Sequence, residues 1–142
     1  MKVSEILQRK GSQVWTIGPS NMILEALELM ADKSIGALVV TEGTKPIGIF
    51  SERDYARKVI LLGRSSATSK VGEVMTADPC CISPNRTAEE CMALMTDKRI
   101  RHLPVVVDQR LAGMISIGDV VKAVIAEREF AIRQLESYIS GG

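Results

Sequence analysis

The chain has 142 residues, of which 46% are hydrophobic and 25% charged; this excludes a disordered chain and sets one compact domain, or two small ones sharing a core. Its 18 Lys and Arg against 17 Asp and Glu leave a formal charge of +1, which gives no bulk-charge basis for binding nucleic acid or a membrane surface. No apolar run approaches the roughly 18–20 residues of a membrane span. Three cysteines (Cys80, Cys81, Cys91) make no complete disulfide framework, and Met1-Lys2-Val3-Ser4-Glu5 does not read as a secretory leader. The expected compartment is therefore the cytoplasm.

In chain order, a short strand is expected at Val14-Trp15-Thr16-Ile17. A helix follows Pro19, with Ile23, Leu24, Leu27 and Met30 near helical period. Ala37-Leu38-Val39-Val40 reads as a buried strand, Glu42 to Pro46 as a turn, and Ile47-Gly48-Ile49-Phe50 as a second strand. A second helix starts at Ser51 and stops near Gly63. The same succession then recurs: Cys80-Cys81-Ile82, a helix after Pro84, Leu103-Pro104-Val105-Val106-Val107, a turn at Asp108-Gln109-Arg110, Ala112-Gly113-Met114-Ile115, and a helix from Ser116. Thr87 and Glu90 have the spacing of a capping box at the start of the second copy's first helix.

The recurrence is a duplication. Shifting the chain by 65 residues gives 14 identities over the 42 positions from 19 to 60, with no gap. Among them are Pro19/Pro84, Leu29-Met30/Leu94-Met95, Gly48/Gly113, Ser51/Ser116 and Asp54/Asp119. Each copy reads β-α-β-β-α: residues 5–63 and 73–128, with a small, polar linker at 64–72 and a helical extension at 129–142. A unit of about 60 residues is marginal alone. The two are expected to pack their sheets into one α/β body with a pseudo-twofold axis.

The most informative motif occurs in both copies: Gly48-Ile49-Phe50-Ser51-Glu52-Arg53-Asp54 and Gly113-Met114-Ile115-Ser116-Ile117-Gly118-Asp119. Ser-x-x-Asp at a strand-to-helix junction caps orphan N–H groups. The same geometry also suits a phosphate at the helix N-terminus and a carboxylate for the paired hydroxyls of a ribose.

Other chemistries have less behind them. His102, the single histidine, reads as a polar residue beside Pro104 or as a phosphate or base contact. Cys80, Cys81, Cys91 and His102 make a poor zinc set, because adjacent cysteines chelate badly and no C-x₂-C is present. No nucleophile–base pair can be assembled, so catalysis is not expected. Arg53, Arg57 and Lys58 form either a solvated helix face or a landing site for phosphates. Val120, Val121, Val124, Ile125, Ile132, Leu135, Tyr138 and Ile139 continue an apolar stripe beyond the repeat, and such a stripe needs a partner.

The duplicated unit, its Gly-h-h-Ser-x-x-Asp endings (h, apolar) and Arg101-His102-Leu103-Pro104-Val105-Val106 together resemble a pair of cystathionine-β-synthase (CBS) domains, over roughly residues 5–130. The resemblance implies a stand-alone regulatory module, not an enzyme, acting on a partner protein by signal transduction. It also implies a disc-shaped homodimer and ligands such as AMP, ADP, ATP, NAD or S-adenosylmethionine, with no catalytic cofactor or metal. Carried onto this chain, one cleft combines Ser116 and Asp119 with Trp15, Ile35, Gly36 and Ala37. The other combines Ser51, Arg53 and Asp54 with Cys80, Ile100, Arg101 and His102. Asp would hold the ribose and Ser the phosphate, with adenine against strand backbone and apolar side chains. Gly36-Ala37 stands where the second copy has Arg101-His102, so the two clefts are expected to differ. The rival reading is a ligand-independent module for protein interaction or dimerisation.

Overall fold

A computed structural model describes residues 1–141. Its elements are α1 (Val3–Lys10), β1 (Thr16–Ile17), α2 (Ile23–Lys33), β2 (Ala37–Glu42), β3 (Lys45–Ser51) and α3 (Glu52–Asp54), which runs into a π-helical turn at Tyr55–Ile60. Then come α4 (Val71–Val74), β4 (Thr76–Ala77), α5 (Ala88–Lys98), β5 (His102–Val107), β6 (Arg110–Ser116) and α6 (Ile117–Ile139).

The first sheet has the order β1-β2-β3-β4, with β1 parallel to β2 and the other pairs antiparallel. The second sheet is the hairpin β5-β6. The duplication extends to backbone irregularities. Both hairpins shift register at equivalent points, Val40/Thr41 and Val105/Val106. Ser34 and Arg99, 65 residues apart, both close their helices in the left-handed conformation at φ 55°.

Both expected leading strands are shorter than the sequence indicates. Val14-Trp15-Thr16-Ile17 pairs only over Thr16–Ile17. Cys80-Cys81-Ile82 is reduced to one parallel bridge, Ile82 to Val105. Ile82 N donates to Pro104 O at 2.9 Å and Val106 N donates to Ile82 O at 2.9 Å. Pro79 and Pro84 bracket this segment and, like Pro104, have no N–H to extend a ladder. The helix expected from Ser51 to near Gly63 is also modified. Its last turn widens, with Leu61 N donating five residues back to Ala56 O; Gly63 (φ 68°) then turns the chain, and Arg64 N beyond it donates to Val59 O. The equivalent stretch in the second copy stays α-helical within the 23-residue α6.

Two short helices that the sequence pattern did not show, α1 and α4, join the halves. Val3 and Ile6 of α1 are buried with Ile82, Ala88, Cys91, Leu103, Ile115 and Val120 of the second copy. Val71 and Val74 of α4 are buried with Ile23, Leu38, Val40, Phe50 and Val59 of the first. Each short helix thus completes the core of the copy it does not lead into. At about 1.5–3 kcal/mol for each fully buried aliphatic side chain, the two such residues on each helix contribute about 3–6 kcal/mol toward docking it. The motif glycines make room for this docking. A Cβ on Gly48 would meet Met75 Sδ at 2.5 Å and Thr76 O at 3.0 Å, and one on Gly113 would meet Leu7 Cδ2 at 2.9 Å.

Candidate functional site

Both Ser-x-x-Asp motifs lie where the sequence places them, at the end of the second hairpin strand and the start of a helix. Ser51 Oγ accepts from Asp54 N at 3.2 Å, and Ser116 Oγ accepts from Asp119 N at 3.2 Å. Each Asp returns a bond: Ser51 N donates to Asp54 Oδ2 at 3.0 Å, and Ser116 N to Asp119 Oδ2 at 2.9 Å. The capping role is therefore real in both copies, and any ligand role must use what capping leaves over. At Thr87 the expected box is half formed. Its Oγ1 accepts from Glu90 N at 3.1 Å, but Glu90 Oε1 meets the Thr87 hydroxyl rather than its backbone N–H.

What capping leaves over differs between copies. Asp54 is buried, with Oδ2 held by Ser51 N and Oγ and Oδ1 held by Thr76 Oγ1 at 2.9 Å and Lys58 Nζ at 3.2 Å. Asp119 is half-buried. Its hydrogen bonds to Ser116 N and Lys10 Nζ both fall on Oδ2, and among the described residues Oδ1 takes none. Lys10 also donates to Met114 O at 3.0 Å. Burial pushes the Asp119 carboxyl up, but the bonds from Lys10 and Ser116 outweigh it and hold the group below its ordinary value. Burial likewise pushes His102 below its ordinary value. The Asp119 charge opposes that shift, while Lys10 and Arg101 reinforce it.

The expected grouping across copies is not the one these contacts describe. Hairpin register sets Ala37 opposite Ser51 and His102 opposite Ser116. Glu52 N donates to Gly36 O at 3.0 Å, and Ile117 N to Arg101 O at 2.9 Å. Gly36 and Ala37 therefore sit with Ser51, Arg53 and Asp54, and Arg101 and His102 with Ser116 and Asp119. Pairing the first residue of one hairpin strand with the last of the other leaves no alternative within each copy. Trp15 and Ile35 pack against the first core, where Lys33 Nζ lies 4.4 Å from the Trp15 ring centroid. Cys80 and Ile100 pack against the second. The residues that reach a motif from the segment ahead of the other copy are Lys10 and Thr76, neither of which the sequence reading singled out.

Two cavities adjoin these groups. One of about 230 Å³ opens between α1 and α6 onto Arg9, Lys10, Lys122 and Asp119; one of about 350 Å³ is lined by Ile35, Gly36 and Glu52, among others. Ligand pockets usually run to roughly 300–1,000 Å³, so each is sized for part of a nucleotide-sized molecule. At the first, three cations beside a helix N-terminus suit an anionic group. Burial raises the thiols of Cys81 and Cys91, and Cys91 belongs to the second core. Among the described residues, no helix is long and apolar enough to cross a membrane.

The CBS domain family model matches residues 3–60 and 71–126. The chain is 40% identical to the mitochondrial CBS domain-containing protein CBSX3 of Arabidopsis thaliana, over 99% of this chain and 72% of that protein. It is 33% identical to the CBS domain-containing protein YhcV of Bacillus subtilis, over 82% and 83% of the two chains. A solved structure of a protein with CBS domains from Burkholderia ambifaria superposes with a TM-score of 0.84 at 47% identity, over 89% of this chain and 95% of that one. A doubled α/β unit, a doubled Ser-x-x-Asp cap and these matches agree: the chain is a tandem pair of CBS domains and belongs to that family.

Proposed function

We propose that the protein is a regulatory module that binds adenine nucleotides and reports their presence to a partner protein, without catalysing a reaction. Asp119 carries the reading. It is a half-buried carboxylate with one oxygen open, at the N-terminus of a 23-residue helix, with Lys10 bound to it and Arg9 and Lys122 lining the same cavity. The open oxygen suits ribose hydroxyls, and the helix terminus and cations suit a phosphate. Two CBS pairs that share this fold at 21–22% identity were crystallised with AMP, and with methylthioadenosine and S-adenosylmethionine, which guides the choice of probes.

AMP is the ligand assigned to the Asp119 site, because that site combines one open carboxylate oxygen with a compact set of cations. The Asp54 site, with exposed Arg53 within its motif and exposed Arg57 just after it, is assigned a larger anion such as ATP or NAD. The protein acts as a homodimer. Three free cysteines fit a reducing compartment, the cytoplasm, although the Arabidopsis relative is named mitochondrial. Thermal unfolding with AMP, ATP, NAD or S-adenosylmethionine tests the reading, since a ligand that prefers the native state raises the midpoint. Stabilisation by at least one adenine nucleotide, and none by inorganic phosphate at the same concentration, is expected. No shift with any of them at millimolar concentration would contradict it.

A further inference from the structure

The chain crosses from the first sheet to the second between Ala77, the end of β4, and Ile82, which is bridged to Val105. Two adjacent cysteines lie on this crossing. Cys81 is exposed, Cys80 is half-buried against the second core, and both are free thiols. Trp15 and Thr16 stand 65 residues earlier, so the first copy has no thiol at the equivalent place. In a strand, neighbouring side chains point to opposite faces. Residues 79–81 belong to no strand, and Cys81 Sγ donates to Pro79 O at 3.5 Å, which turns its sulfur back along the chain toward Cys80. Burial, and after it the charge of the Cys80 sulfur, hold the Cys81 thiol above its ordinary value. The sulfurs are near neighbours on one stretch of irregular backbone.

We infer that Cys80 and Cys81 form a dithiol site for a trivalent arsenical that carries one organic group. Structural zinc asks for four ligands, and among the described residues no group of three or more His, Cys, Asp or Glu side chains could hold a metal ion. Trivalent arsenic asks for three bonds, so one organic group and two sulfurs complete it. It is also soft, as thiol sulfur is. The step is a condensation. Two S–H bonds and the arsenic–oxygen bond break, two arsenic–sulfur bonds form, and the oxygen leaves with both thiol protons as one water. Arsenic stays trivalent and neither sulfur is oxidised. A direct disulfide is the poorer product, because adjacent Cα atoms are about 3.8 Å apart, short of the roughly 4.4–6.8 Å that a disulfide usually spans. An arsenic atom between the sulfurs widens the ring and relieves that constraint. Holding Cys81 as the thiol also slows oxidants, which consume the thiolate, whereas condensation uses the thiol proton. Cys91, 1% exposed in the second core, supplies no third sulfur. The site does not depend on any nucleotide being bound.

Intact-mass measurement of the reduced full chain, treated with phenylarsine oxide in millimolar glutathione, tests it. One adduct per chain is expected, leaving one of the three cysteines to titrate after denaturation. A small dithiol such as dimercaptopropanol should remove the adduct. Two sulfurs on one chain outcompete separate monothiols, so Cys81→Ser, at an exposed position, should weaken capture at least a hundredfold, and Cys80→Ser should do the same. Cys91→Ala should keep the adduct. A wild type with no glutathione-resistant adduct would overturn the assignment. So would an adduct that survives Cys80→Ser or Cys81→Ser, or one that disappears with Cys91→Ala.

Discussion

Lys10 Nζ lies 2.7 Å from Asp119 Oδ2, joining the N-terminal helix to a carboxylate 109 residues away. In the other copy Thr76 Oγ1 plays the corresponding part, 2.9 Å from Asp54 Oδ1. One carboxylate is thus met by a lysine from the helix ahead of the other copy, and the other by a hydroxyl from the strand ahead of the other copy together with Lys58 of its own helix. The pseudo-symmetric body carries two chemically different sites.

The Lys10–Asp119 pair is partly solvated, with side-chain exposures of 35% and 18%. Lys10→Met should therefore cost only about 0.5–1 kcal/mol of stability, and less at high salt. Urea unfolding of the variant and wild type at low and high sodium chloride checks this; a loss that is independent of salt would mean that packing, not charge, holds Lys10.

Gly48 and Gly113 are equivalent in sequence, but their neighbours differ in give. An alanine at Gly113 presses on the flexible end of Leu7, whereas one at Gly48 meets the backbone oxygen of Thr76 as well as Met75. Gly48→Ala should destabilise by about 1–3 kcal/mol, and Gly113→Ala by less. Chemical denaturation of both variants reads the order directly, and the reverse order would refute the docking account.

Acid should act through His102 before the carboxylates. His102 titrates below its ordinary value in the folded protein, so as pH falls through about 6.5 the unfolded chain takes up the proton first and stability drops. Asp119 is also held below its ordinary value, so its contribution is present above about pH 4 and is lost as pH falls further. His102→Asn should flatten stability between about pH 7 and pH 5 while leaving the steeper acid limb. Thermal midpoints across that range test it, and an unchanged slope would remove His102 from the account.

The repeat, the hairpins and both caps were legible because each rests on local spacing: period in the helices, alternation in the strands, three residues from Ser to Asp. The shared core and the donors to the site were not. Helices α1 and α4 have eight and four residues, too short for a periodic signal, and they dock on the copy they do not lead into. Lys10 and Thr76 lie outside the positions matched by the duplication, so nothing in the spacing marked them. The grouping of Arg101 and His102 with Ser116 and Asp119 follows from hairpin register, which the turn at Asp108-Gln109-Arg110 already implies.

The two sites should separate by ligand. Arg101→Ala should weaken AMP binding, and Arg53→Ala should weaken ATP or NAD binding while leaving AMP nearly unchanged, because charge-assisted phosphate contacts are the strong ones. Competition titrations of the two variants decide it; equal losses for every ligand would mean that the sites are equivalent or coupled.

Isothermal titration calorimetry of AMP into the wild type and Asp119→Ala tests the central claim most directly. Loss of a hydrogen bond to a charged group costs on the order of 1.5–3 kcal/mol, so the variant should bind AMP about 10–150-fold more weakly than a wild type that binds it saturably. A wild type that gives no binding heat at millimolar AMP, or a variant that binds AMP as tightly as the wild type does, would contradict it.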